Sequence, residues 1–490
     1  MVSAGTEGTN GKDEEWQTLK AEGNTAFAAG KYEKAIELYT RAIDNHSSTM
    51  DKRNLAICLT NRAQCEIKLE QYGLAAADSS AALQKDPTYV KAYYRRAVSN
   101  TAMLHHKAAL VDLKVLSKLH QADMSLKAKL DECQKLVRRL DFEKAIEMDD
   151  TQSAAEGIDV EAMNLPKTYD GPQIGSEGID EKFVKDMVEY FKSGKLLPLK
   201  IVYTIILKAT EIFKKEASVV EFDVPTDTKL TICGDTHGQF YDLLNIFNRN
   251  GWPSKTHAYL FNGDFVDRGS WSCEIALLLL AYKCVFPETL HINRGNHETD
   301  EMNKVYGFEG ECKHKYNDRT FKLFSESFSM LPLGTLIGGK FFVLHGGLFS
   351  NDNVTMDDLR KLDRFTKRQP GNEGLMMEML WTDPQPQDGR GPSKRGVGLQ
   401  FGPDVTKRFC EANGLEAVIR SHEVRDEGYD IEHDGKLITV FSAPNYCDSQ
   451  GNKGAYINVG HDMKLNFVKF EAVPHPNVPP MAYASNLLMR

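Results

Sequence analysis

The chain has 490 residues and a mass of 55.1 kDa, more than one hydrophobic core usually supports, so two or three domains are expected. Hydrophobic residues at 41% and charged residues at 26% exclude a mostly disordered chain, a fibrous repeat and a disulfide-dense miniprotein. A formal charge of -9, from 60 basic against 69 acidic side chains, gives no global field for collecting nucleic acid or anionic lipid, so any phosphate chemistry must be local.

Residues 1–15 are polar and partly acidic where a signal peptide needs a basic start and an apolar stretch. They are expected to be a disordered N-terminus, and secretion is not expected. Nine cysteines, odd in number and without a C-x-x-C pair, suit free thiols in a reducing compartment.

From 16 to 147 the sequence repeats itself. Gly23, Tyr32, Ala35, Tyr39 and Ala42 are echoed by Ala63, Tyr72, Ala75, Ala82 and Pro87, and more weakly by Ala97, Ala109 and Leu116. Ala75 and Ala109 are 34 residues apart, and Ala35 and Ala75 are 40 apart, with the six extra residues around Asn45 to Lys52. Small residues at these sites let antiparallel helices approach closely, which predicts three helix pairs curving into a groove. Leu130, Cys133, Leu136, Val137 and Leu140 continue at helical spacing, a capping helix over 126–147. The segment resembles the tetratricopeptide repeat family, a peptide-binding fold, and is expected to be a scaffold without catalytic chemistry. One subgroup of that family holds the terminal carboxylates of a chaperone tail in a clamp of Lys, Asn, Asn, Lys and Arg, and Lys20, Asn24, Asn61, Lys91 and Arg95 stand at the matching positions. Lys20 and Asn24 are four apart, as are Lys91 and Arg95, so each pair shares a helix face, and cations with amide donors suit carboxylates. Ser47 and His106 depart from the repeat pattern, which usually has Pro and Tyr there.

Asp149 to Asp180 carries eight acidic residues against one lysine, with Gly and Pro interrupting any periodicity. It is expected to be a connecting segment, 148–180, either solvated by its charge or packed on a basic rim. Helices are predicted over Asp180–Ser193 and Pro198–Ala217. Ile275 to Tyr282, flanked by Glu274 and Lys283, falls far short of the roughly 18–20 residues of a membrane span and predicts a core helix.

Beyond Ala217 short β-branched or apolar runs end abruptly in polar clusters. Lys229–Cys233 precedes Gly234-Asp235-Thr236-His237-Gly238, His257–Asn262 precedes Gly263-Asp264, and Thr289–Asn293 precedes Arg294-Gly295-Asn296-His297-Glu298. Lys340–Leu344 precedes His345-Gly346-Gly347, and Ala417–Ile419 precedes Arg420-Ser421-His422-Glu423. In a layered α/β protein the carboxyl ends of core strands open on a common crevice, where distant residues converge. Asp235, His237, Asp264, Asn296, His345 and His422 are oxygen or neutral imidazole donors, which favour Mn, Fe, Zn or Mg over thiolate-bound metals. Six side chains exceed the needs of one catalytic ion and suit two sharing a bridging carboxylate, with Asp264 in the middle of the set. A water between two such ions would be acidified to hydroxide and aimed in line at phosphorus.

Residues 180 to 473 resemble the metallophosphoesterases, specifically the PPP family of serine/threonine protein phosphatases. The matching phrases are G-D-T-H-G-Q-F, F-N-G-D-F-V-D-R-G, R-G-N-H-E, H-G-G-L, D-P, R-G-V, R-S-H-E and S-A-P-N-Y-C-D. The resemblance implies one metal on Asp235, His237 and Asp264 and a second on Asp264, Asn296, His345 and His422, manganese in vitro or iron, zinc or magnesium. Phosphomonoester cleavage also needs an acid for the departing oxygen. His297, beside Asn296, is the candidate, with Asp267 to orient it and hold it protonated. Arg268 and Arg395 are the candidate clamps for phosphate oxygens, and Tyr446 would line the leaving-group side. Substrate contacts are thus expected from Arg268, Asn296, His297, Arg395 and His422.

The expected architecture is multidomain: an all-α tetratricopeptide repeat superhelix over 16–147, then an α/β metallophosphoesterase over 181–473, a mixed β-sandwich flanked by helices. A tail over 474–490 would carry a short regulatory helix. This order resembles the type-5 serine/threonine protein phosphatases nearly end to end. That resemblance implies phosphoprotein substrates, binding of the C-terminal tail of the 90-kDa heat-shock chaperone, autoinhibition relieved by such tails or by fatty acids, and residence in cytosol and nucleus. An inactive scaffold and a two-metal phosphodiesterase or nuclease are the alternatives. The acidic balance and the R-S-H-E and S-A-P-N-Y-C-D phrases argue against the nuclease.

Overall fold

A computed structural model describes residues 10–46, 50–146, 153–485 and 487. They fall into two compact units, one made by 10–146 with 392–397 and 487, the other by 153–391 with 398–485.

The first unit is helical: α1 (Asn10–Ala28), α2 (Tyr32–His46), α3 (Lys52–Lys68), α4 (Tyr72–Lys85), α5 (Val90–Ala102), α6 (His106–Leu119) and α7 (Met124–Ile146). Successive helices pack as the hairpins α1/α2, α3/α4 and α5/α6, with α7 on α6. The repeated alanines are the contact points: Ala35, Ala42, Ala63, Ala75, Ala82 and Ala109 are fully buried. A Cβ added at Gly23 would lie 2.7 Å from the Tyr39 ring, so only glycine lets α1 and α2 come this close. Helix begins at Asn10, earlier than the disordered 1–15 start expected from composition, because Trp16 and Leu19 are buried and anchor the first turns. His106, at the start of α6, is buried, and Ser47 lies outside the described residues. A second repeat shows only in space. Arg62 forks onto Asp78 at 2.6 and 2.8 Å, and Arg96 onto Asp112 at 2.9 and 2.8 Å, again 34 residues on. Each bidentate pair ties the first helix of a hairpin to its second.

The second unit begins with an arm, 153–180, that contains no helix or strand. It is more than a connection. Ala154, Ala155, Ile158, Val160, Met163, Leu165, Tyr169, Ile174 and Ile179 pack on the main core. Ser153 Oγ donates to Glu326 at 2.7 Å and Arg319 Nε donates to the Ala154 carbonyl at 3.2 Å. The acidic composition concealed an apolar set spread along the arm.

Asp180 then caps α8 (Glu181–Lys192) by accepting the Phe183 N–H at 2.7 Å, and α9 (Leu199–Phe213) follows. The chain continues through β1 (Val219–Phe222), β2 (Lys229–Cys233), α10 (Phe240–Asn250), β3 (His257–Phe261), α11 (Ser272–Val285), β4 (Leu290–Ile292), α12 (Asp300–Tyr306), α13 (Phe308–Lys315) and α14 (Asp318–Ser329). Next come β5 (Gly334–Ile337), β6 (Phe341–Leu344), α15 (Met356–Arg360), α16 (Leu375–Trp381), β7 (Asp383–Pro384), β8 (Arg390–Pro392), β9 (Leu399–Phe401) and α17 (Pro403–Asn413). The last elements are β10 (Ala417–Arg420), β11 (Tyr429–Glu432), β12 (Leu437–Val440), β13 (Gly454–Val459) and β14 (Leu465–Phe470). The apolar run 275–282 is the middle of α11, buried on every side. No helix among the described residues is long and apolar enough to cross a membrane.

Two sheets form the sandwich, one in the order β1-β5-β6-β10-β12-β11 and the other β14-β13-β2-β3-β4. Their facing sides share a core in which Leu230, Ile232, Leu260, Val343, Ile419, Val440 and Ile457 are buried together with Phe341, as the inner faces of packed sheets are. After β14 the chain forms a strap. Ser270 Oγ donates to the Pro479 carbonyl at 2.7 Å, and the Met481 and Ser485 N–H groups donate to the carbonyls of Arg268 and Val305 at 2.6 and 3.1 Å. The short helix expected in the 474–490 tail is, among the described residues, a turn over 480–483, with these backbone donors spent on the second unit, and 486 and 488–490 lie outside the described residues.

Candidate metal centre and phosphate site

The five polar clusters leave the carboxyl ends of β2, β3, β4, β6 and β10. Strands β2, β3 and β4 run parallel in one sheet and β6 and β10 run parallel in the other. The common crevice expected at the carboxyl ends of the core strands is a seam between the two sheets. The loop after β12 joins it, with the Ser442 N–H donating to the Asp235 carbonyl at 3.1 Å.

Asp235, His237, Asp264, Asn296, His345 and His422 meet there, each no more than 6% exposed. His237 Nε2 lies 3.6 Å from Asp235 Oδ2 and 3.7 Å from Asp264 Oδ2. His345 Nε2 lies 3.2 Å from Asp264 Oδ2, 2.9 Å from Asn296 Oδ1 and 3.2 Å from His422 Nδ1. Asp264 is common to both halves, the place expected of a bridge. One ring nitrogen faces three donor atoms at once, more than its single hydrogen or lone pair can serve. The other ring nitrogens are already assigned: His237 Nδ1 to the Val266 carbonyl at 3.0 Å and His345 Nδ1 to the Asn262 carbonyl at 2.8 Å. That arrangement turns lone pairs inward, as metal-ligating histidines do. Burial holds His237 well below the usual histidine range and lowers His345, so both rings are neutral donors. Burial also pushes the Asp235 carboxyl up to about 7, with the nearby Asp264 adding to it. Cations at the centre would relieve that cost. The donor set therefore fits two hard or borderline ions.

The backbone around the site is strained. His237, Asp264, Asp267, Arg268 and His422 all have φ between 41° and 74°, left-handed values that cost non-glycine residues free energy and persist where surroundings impose them. Glu298 supplies part of that restraint. Its buried carboxylate accepts the N–H groups of Asp264 at 2.7 Å, Phe265 at 3.0 Å and Gly295 at 2.8 Å, tying the β3 loop to the β4 loop. A Cβ at Gly295 would sit 2.4 Å from the Asp264 nitrogen, so glycine is required at this crossing.

Beside the donors, His297 Nδ1 bonds Asp267 Oδ2 at 2.8 Å, and the His297 N–H donates to Asp264 Oδ1 at 2.8 Å. The acid pair expected from sequence is assembled. Arg268 is buried with its guanidinium 4.0 Å from the Tyr306 ring centroid. The Tyr446 ring lies 5.2 Å from that of His237. Arg395 sits in the β8–β9 loop, in the segment that groups with the first unit, with its N–H on Ser393 Oγ at 3.1 Å.

In the first unit, Asn24 Oδ1 accepts from Asn61 Nδ2 at 3.2 Å and from Tyr39 Oη at 2.7 Å. Lys20 stands one turn from Asn24 on α1, its Nζ 5.0 Å over the Trp16 ring. Arg95 Nε donates to Gln64 at 3.0 Å and its Nη1 to the Thr60 carbonyl, and Lys91 lies one turn before it on α5. Tyr39 and Gln64, which orient Asn24 and Arg95, were not anticipated.

Among known proteins, the calcineurin-like phosphoesterase family matches residues 228–426, the stretch that carries all six donors. This is a metal-dependent phosphoesterase. The PPP5 TPR repeat region family matches residues 130–221. Serine/threonine-protein phosphatase T of Aspergillus oryzae is 60% identical over 471 residues, covering 96% of this chain and 97% of its own. Serine/threonine-protein phosphatase 5 of Homo sapiens is 48% identical over 474 residues, covering 96% and 93%. A solved serine/threonine phosphatase from Saccharomyces cerevisiae with similarity to human PP5 aligns with a TM-score of 0.60 at 51% identity, covering 62% of this chain and all of its own. The chain belongs to the PP5-type serine/threonine protein phosphatases, with a tetratricopeptide repeat region followed by the catalytic domain.

Proposed function

We propose that the chain hydrolyses phosphoserine and phosphothreonine in proteins with two cations, one on Asp235, His237 and Asp264 and one on Asp264, Asn296, His345 and His422. The observation that carries this reading is the meeting of six buried donors, linked through His237 and His345 and sharing Asp264, with the His297–Asp267 pair alongside. When bound, such ions supply an acidified water for in-line attack and neutralise phosphoryl charge. Manganese serves in vitro, with iron, zinc or magnesium as other occupants. His297 holds a proton on Nε2 for the departing serine or threonine oxygen while Asp267 fixes Nδ1. Arg268 and Arg395 take phosphate oxygens, with Arg268 braced against Tyr306, and Asn296 and His422 border the same oxygens. Tyr446 closes the leaving-group side. Release of phosphate from a phosphoserine peptide by the full chain, dependent on manganese and abolished by a chelator, is the expected result. Turnover of a nucleic-acid diester in place of the peptide would overturn it.

The repeat region, on this reading, takes a peptide ending in adjacent carboxylates, such as the tail of the 90-kDa heat-shock chaperone, on Lys20, Asn24, Asn61, Lys91 and Arg95. The support is the set of cationic and amide side chains on α1, α3 and α5, with Asn24 and Asn61 in contact. The repeat region and the C-terminal tail restrain basal activity, and chaperone tails or fatty acids relieve it, in cytosol and nucleus. Deleting residues 481–490 should raise basal phosphatase activity in a folded, metal-loaded protein, and unchanged or lower activity would count against the restraint.

A further inference from the structure

Asn303 is assigned no role by the motifs, yet it touches both members of the acid pair. It lies on α12 and is 1% exposed. Its Nδ2 donates to Asp267 Oδ2 at 2.9 Å and to the His297 carbonyl at 2.6 Å. The amide has one allowed orientation, because the carboxylate and the carbonyl it faces act as acceptors and an inverted amide would set oxygen against oxygen. Asp267 Oδ2 thus receives two donors, His297 Nδ1 and Asn303 Nδ2, while Asp267 Oδ1 takes the Phe308 N–H at 2.8 Å. The second bond, to the His297 backbone, fixes the base of the imidazole from the other side.

The same short helix also supports Arg268. Tyr306, at its end, accepts the Arg268 N–H through its carbonyl at 3.3 Å and lies under the guanidinium. Asp267 and Arg268 both have positive φ, 67° and 68°, so the loop cannot hold itself and depends on what it is bonded to.

The geometry points to Asn303 as a positioning residue for leaving-group protonation, one that keeps the Asp267 carboxylate and the His297 ring in a single arrangement. This rests on the reading of His297 as the proton donor. A hydrogen bond spent on orientation matters most where the reaction needs the proton. A serine alkoxide is strongly basic and leaves only if protonated, whereas p-nitrophenolate is weakly basic and leaves without help. Loss of Asn303 should therefore separate the two substrates, and a merely structural loss should not.

The test compares Asn303→Leu with the parent full-length manganese-loaded enzyme on a phosphoserine peptide and on p-nitrophenyl phosphate. Turnover of the peptide is expected to fall about ten- to a hundred-fold, the scale of lost orienting partners, with p-nitrophenyl phosphate turnover and metal content nearly unchanged. Asn303→Ser, smaller and able to admit water, gives the same separation if the leucine variant does not fold. Equal losses on both substrates, or none on either, in a folded variant would overturn the assignment. If His297→Asn fails to separate the substrates in the same assay, it is the general-acid reading that falls.

Discussion

The two units store information in opposite ways. In the helical unit the same residue types recur: alanines where the helices of each hairpin touch, and an Arg–Asp fork in the α3/α4 hairpin that returns 34 residues on in α5/α6. In the catalytic unit nothing recurs. Six donors from five loops, several on strained backbone, meet at the seam of two sheets. Periodic construction spreads the consequence of one substitution over near-equivalent contacts. Convergent construction concentrates it.

The sharpest way to break the contrast is Asp264→Asn, which removes the one carboxylate shared by both halves of the cluster. Activity on a phosphopeptide should drop to background and bound metal, read by elemental analysis, should fall below two ions per chain. His297→Asn comes next. Peptide turnover should decrease by about 10²–10⁴-fold, with metal content and melting temperature retained. In the helical unit, Arg95→Ala should weaken binding of a peptide with a free acidic C-terminus by about 1.5–3 kcal/mol in calorimetric titration, leaving turnover of p-nitrophenyl phosphate unaltered. An amidated peptide should bind the parent as poorly.

The smallest effect concerns Glu66, buried on α3, whose carboxyl is pushed up to about 8 by burial and by the neighbouring Asp78, against the pull of Arg62. A folded-state value above the usual 4.5 means the group is neutral in both states at low pH, so its cost is absent there. The cost grows as pH rises from about 4.5 to about 8, where the folded chain must bury the charge. Glu66→Gln should therefore melt at a higher temperature than the parent at pH 8 in scanning calorimetry, with the gap closing towards pH 5. A gap that widens at low pH would reverse the sign.

Much of this was legible from the chain alone, for reasons that differ by region. The repeat alanines and the strand-then-cluster grammar were visible because the first is periodic and the second places rare residues directly after β-branched runs. The packed arm at 153–180 was hidden by its charge, since acidic and glycine residues outnumber an apolar set that only a neighbouring core reveals. The supporting residues were hidden differently. Glu298 stands inside a recognised phrase but shows its work mainly through the Asp264 and Phe265 backbone donors, 34 and 33 residues away. Asn303 has no local signal, being a single asparagine in a short helix. The helix in the tail was implied by resemblance, since the segment is too short to be stable alone, and its Met481 and Ser485 N–H groups are committed to Arg268 and Val305, a long-range pairing that no local propensity encodes.

The most direct measurement is a joint determination of bound metal and phosphopeptide turnover on one preparation of the full chain during stepwise manganese loading after chelation. Activity should rise with occupancy and reach its plateau as the second ion per chain is bound. A plateau with one ion, or full turnover with none, would contradict a catalytic centre built on two cations sharing Asp264.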